Sequence, residues 1–84
     1  MDDIDEICKE VIEKKKKQNE AIGKYEEAGR FEDAAEAARR AGLIYRACRN
    51  YKKAIEKYEE EGRFGDAYKL HEELSFIEKD EFWQ

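Results

Sequence analysis

The sequence predicts an all-α fold, with antiparallel helical hairpins stacked as a short array of about four helices. Three observations lead there. The 84 residues contain no proline and no threonine and a single serine, Ser75, while Ala, Glu, Lys, Arg, Leu, Ile and Tyr supply nearly everything else; most of these lose little freedom in a helix. Residues 21–34, AIGKYEEAGRFEDA, match residues 54–67, AIEKYEEEGRFGDA, at 11 of 14 positions with an offset of 33. Self-similarity at a period of about 20 to 50 residues marks helical repeats. Within each copy, apolar residues return every three or four positions until a glycine interrupts them.

The first helix is expected over about 3–28. Its stripe of Ile4, Ile7, Cys8, Val11 and Ile12 is broken by Lys14, Lys15, Lys16, Lys17, Gln18 and Asn19, then resumes in phase at Ile22 and Tyr25. All the residues in the gap except Asn19 are good helix formers, so one helix is favoured over two. Gly29 ends it, and Phe31 opens a second helix over about 31–41 with Glu32 and Asp33 in the first turn, where negative charge suits the helix dipole. Gly42 separates a third helix, about 43–61, whose positions Ile44, Ala47, Cys48, Tyr51, Ala54, Ile55 and Tyr58 step by three and four without a break. Gly62 then gives way to a fourth helix over about 64–79. Connections this short force neighbouring helices antiparallel. The chain is read as one domain, 1–84: a helical extension over 3–14, hairpins over 15–42 and 43–75, and an aromatic tail over 76–84.

Composition narrows the function. A net charge of −5 disfavours general nucleic-acid binding. No apolar run reaches the roughly 18 residues of a membrane span, and the start, Met1, Asp2, Asp3, is acidic where a secretory signal would be basic. A cytoplasmic protein is expected, with no membrane and no nucleic acid as partner. The abundance of Lys and Glu with few Asn and Gln also fits a thermophile.

Cys8 and Cys48 form no CxxC pair and lie on apolar stripes, which predicts two reduced, buried small hydrophobes. His71 falls in line with Phe64, Ala67 and Leu74 and is expected at a core edge. One histidine, one serine and two distant cysteines assemble no catalytic triad. The Glu-x-x-His pairs of di-iron bundles, zinc-ligand spacings and phosphate-cradling glycine loops do not occur in the sequence. The expectation is a protein that is not an enzyme and has no metal and no cofactor.

The order Tyr25, Gly29, Phe31, Ala34, Ala41, repeated as Tyr58, Gly62, Phe64, Ala67, Leu74, resembles the tetratricopeptide repeat and its relatives, including the helical arrays of vesicle-fusion adaptor proteins. The likeness covers roughly residues 15–75. It implies a protein–protein interaction module in which the first helix of each hairpin lines a groove for a peptide or partner helix. Carried onto this sequence, the groove residues are Lys16, Asn19, Glu20 and Gly23 in one copy and Arg49, Lys52, Lys53 and Glu56 in the other.

Between residues 39 and 53 stand Arg39, Arg40, Arg46, Arg49, Lys52 and Lys53 without one acidic residue. Such a cluster either captures a carboxylate-rich partner, with arginine giving bidentate bonds, or is a solvated helix surface. The four successive lysines at 14–17 point all round a helix and read as a solvated face. The tail, with Phe76, Phe82 and Trp83, is either a cap folded over the end of the stack or an aromatic anchor for a partner. Two hairpins leave apolar ends exposed, so the N-terminal stripe, the tail or a second copy of the chain is expected to cover them, and a homo-oligomer is the alternative to the adaptor reading.

Overall fold

Three glycines decide where the chain turns. The computed structural model describes residues 2–82, with side-chain surroundings for residues 7–79. They form α1 (Asp2–Glu27), α2 (Phe31–Arg40), α3 (Ile44–Glu60) and α4 (Phe64–Phe82). Between them Gly29, Gly42 and Gly62 take φ values of 74°, 78° and 76°, the left-handed region where a Cβ would crowd the following carbonyl. At each turn the glycine N–H donates to the carbonyl three residues back and the next N–H to the carbonyl five back. The pairs are Gly29 to Glu26 and Arg30 to Tyr25, Gly42 to Arg39 and Leu43 to Ala38, Gly62 to Glu59 and Arg63 to Tyr58, all at 2.8–3.1 Å. This double closure satisfies carbonyls that a helix end otherwise leaves without partners.

The two matching stretches of sequence fold into matching locks. Arg30 lies over the ring of Tyr25 at 5.2 Å and pairs with Asp33 at 2.7 Å; Arg63 lies over Tyr58 at 4.6 Å and pairs with Asp66 at 2.8 Å. In both, an arginine stacked on the last turn of one helix is held by a carboxylate in the first turn of the next.

The helix bounds fall within three residues of those expected from sequence, and α1 runs unbroken through its lysines. The helices pack in chain order, α1 on α2, α2 on α3, α3 on α4, in a slab of 56 × 34 × 13 Å. Small residues make this close approach feasible: Ala34, Ala35 and Ala38 on α2 and Ala47 on α3 are fully buried, with Ile22 and Tyr51 filling the space beside them and Leu70, Leu74 and Ile77 completing the core on α4. The Tyr51 hydroxyl is buried beside Arg39 and Glu73 without a hydrogen bond of ordinary geometry. Burial pushes its titration upward.

Several expectations fail at the edges. α1 outruns α2, so its residues 7–14 are exposed. The stripe does not cover the end of the stack. Ile7 and Ile12 are 59% and 65% exposed, and Cys8 is exposed beside them rather than buried; Cys48 is half-buried against the core. His71 is exposed, not packed at a core edge, with its Nε2 3.4 Å from Glu59. Residues 76–82 of the tail do not fold back but continue α4 as one helix. The surroundings of Phe82, and Trp83 altogether, lie outside the described residues.

Candidate functional site

α1 and α3 run parallel, both antiparallel to the α2 between them, and the repeat sets their matching faces side by side. A polar clamp joins them. Arg46 grips Glu26 through two bonds, Nη2 to Oε1 at 2.6 Å and Nε to Oε2 at 3.3 Å, and its Nη1 donates to Asn19 Oδ1 at 3.2 Å. Asn50, wholly buried, donates Nδ2 to Glu26 Oε2 at 2.8 Å and to the Arg46 carbonyl at 3.0 Å. The hydrogen bond from Arg46 is the main cause that holds the Glu26 carboxyl down at about 2, against the opposing effect of burial and with help from Asn50. Reciprocally, Glu26 raises the titration of Arg46 further. Gly23 stands over the clamp; a Cβ there would sit 3.9 Å from Arg46 Nη2.

This clamp divides the basic cluster of residues 39–53. Arg46 is neutralised by Glu26, Lys53 lies over the ring of Phe31 at 5.5 Å, and Arg39 approaches Glu73 at 4.0 Å. Among the described residues Arg40, Arg49 and Lys52 make no side-chain hydrogen bond or ion pair. No family model, curated protein or solved structure matches the chain. Its geometry alone therefore bears on function.

Of the residues expected to bind a partner, the structure brings Asn19 and Arg49 to one hollow of about 470 Å³, lined also by Gly42, Leu43, Ile44, Tyr45 and Arg46. Tyr45 offers its ring to solvent there at 72% exposure, with Leu43 at 37%. A smaller hollow of about 200 Å³ adjoins it through Asn19, Gly42 and Leu43 and extends to Lys15 and Gln18. Lys16, Glu20, Lys52 and Glu56 are exposed but line neither hollow. Sequence reasoning missed Glu26, Asn50, Leu43 and Tyr45. Asn50 carried a signal: a polar residue in phase with Ala47 and Ala54 on a buried stripe asks for a partner.

Two further depressions lie elsewhere. One, of about 240 Å³, is closed at the α1–α2 turn by Arg30 and Phe31, with Lys57 donating to the Gly29 carbonyl at 3.1 Å. Beside it Tyr58 donates to Glu32, and that bond pushes the phenol up to about 12. The other, about 590 Å³, runs along the outer face of α4 past Tyr68, His71, Glu72, Phe76 and Lys79. Among the described residues no three His, Cys, Asp or Glu side chains converge as metal ligands, and no helix is long and apolar enough to cross a membrane.

Proposed function

We propose that the chain is a protein–protein interaction module, tetratricopeptide-like in plan, that takes an acidic peptide or partner helix on its α1/α3 face rather than catalysing a reaction. The observation that carries this is the hollow at Asn19 and Arg49, which sets an apolar rim, Leu43 and Tyr45, beside a guanidinium with no carboxylate bound to it. An exposed ring next to an arginine suits a peptide with a carboxylate and an apolar side chain close together. Lys16, Glu20, Lys52 and Glu56 flank the hollow as exposed groups. Lys53, resting on Phe31, is a weaker candidate than the sequence suggests. An exposed thiol at Cys8 suits a reducing compartment, consistent with a cytoplasmic setting.

The test is titration of the chain with a fluorescent acidic peptide carrying one aromatic residue. Arg49→Glu should weaken binding about tenfold or more, and binding to the native chain should fall with salt. Helicity by circular dichroism should stay the same, because Arg49 is exposed. Undiminished binding by the Arg49→Glu chain would remove this face from consideration.

A further inference from the structure

We propose that copies of this chain associate head to tail, with α1 of one copy taking on α4 of the next the place that α3 takes on α2 within the chain. The starting point is a contrast between equivalent positions. Phe31 and Ala35 on α2 are covered by α3, Ala35 completely. Their counterparts 33 residues on, Phe64 and Tyr68, are 67% and 65% exposed, with Phe76 at 65% further along the same helix. Among the described residues no helix packs on this face of α4. On α1, the counterparts of the α3 residues Arg46, Ala47, Asn50 and Ala54 are Glu13, Lys14, Lys17 and Ala21, all exposed.

Helix lengths make the two ends fit. α1 has 26 residues against 17 in α3, and α4 has 19 against 10 in α2, nine longer in each case. Because directions alternate, the surplus at the start of α1 and the surplus at the end of α4 lie at the same end of the molecule. Paired antiparallel, the two overhangs cover each other over about 13 Å at the helical rise of about 1.5 Å per residue. Within the chain the register is set by Lys53 over Phe31 and Lys57 on the Gly29 carbonyl. Shifted by one repeat, it brings Ile7, Val11 and Ile12 of one copy beside Glu72 and Phe76 of the next, and Lys24 to the Gly62 carbonyl.

Charge agrees with this register. The internal clamp joins Asn50 to Glu26 and Arg46 to Asn19. The corresponding positions between copies are Lys17 with Glu59 and Glu13 with Lys52, two opposite-sign pairs. Glu13 also comes near Glu59, as Arg46 does to Glu26, but each carboxylate has a lysine beside it. Lys52 has no ion pair among the described residues, and Glu59 is about half exposed, meeting only His71. The contact is heterologous, so it builds rings or open chains rather than closed pairs. It leaves the lining of the hollow at Arg49 uncovered, although two residues that flank that hollow also stand at this contact: Lys52, and Glu20, which as the counterpart of Lys53 comes over Phe64.

Sedimentation of the whole chain from about 10 to about 500 μM tests it, with mass expected to rise in multiples of 10.0 kDa. Lys17→Glu and Glu59→Lys should each weaken association about tenfold, and the double variant should restore it to within about threefold of the native chain. Phe76→Asp, at an exposed position, should abolish it with helicity unchanged. A chain that stays monomeric throughout would overturn the proposal and leave the α4 face to a different protein. Association indifferent to the charge reversals, or not rescued by the double variant, would overturn it in favour of another interface.

Discussion

The charge on Glu26 links pH to stability. Its carboxyl ionises at about 2 in the folded chain against an ordinary 4.5, with the Arg46 hydrogen bond the largest cause. A depressed folded value means that its contribution is present above about 4.5 and lost as pH falls from there toward 2. The full shift corresponds to about 3 kcal/mol; with both side chains about a quarter exposed, screening leaves on the order of 1–3 kcal/mol. In Glu26→Gln, melting temperature should start lower at neutral pH and fall less steeply between pH 4.5 and 2 than in the native chain, as followed by circular dichroism. Parallel falls in the two proteins would mean that the clamp carries none of the acid sensitivity.

At the scale of the helix, the same sequence motif gives two different stabilities because its neighbours differ. Phe31 packs against the core beneath Lys53, whereas Phe64 stands 67% exposed at the same place in the second copy. Phe31→Ala should therefore cost about 1–3 kcal/mol in urea unfolding of the monomer, and Phe64→Ala less than about 0.5 kcal/mol. Equal costs would contradict the difference in burial.

The same pair marks how far the sequence could be read. Helices and turns were legible because their causes are local: glycine at the left-handed position, apolar spacing of three and four, and an arginine between a tyrosine and an aspartate. Burial was not, because Phe31 and Phe64 sit in nearly identical strings and differ only in whether a helix of the described chain packs over them. Ile7, Cys8 and Ile12 looked like core for the same reason; their spacing is right, but α2 ends before reaching them. Of the candidate site, Asn19 and Arg49 could be placed on facing helices. The capture of Arg46 by Glu26, 20 residues away in the chain, requires the hairpin geometry and could not be seen in a run of basic residues.

Across the whole molecule, stability should grade along the stack. The helices pack mainly on those next to them in sequence, with the α1–α3 clamp and the Arg39–Glu73 approach as additions. Among the described residues, α2 and α3 thus have a packed neighbour on two sides, while α1 and α4 have one on a single side. In such a quasi-one-dimensional arrangement, opening begins at the ends and the middle opens last. The N-terminal half of α1 is the extreme case. Residues 7–14 are helical yet exposed throughout, and an isolated stretch of helix that short is marginal in water. Hydrogen exchange on dilute protein should therefore find, among the helical amides of residues 7–79, those of residues 7–14 fastest, those around Ile22 and Tyr25 intermediate, and those of Ala47, Tyr51 and Ala54 slowest. The last group should approach the global unfolding free energy. Uniform protection along α1 would show instead that its N-terminal half is held as firmly as its packed half, and that neighbour contacts do not set the gradient.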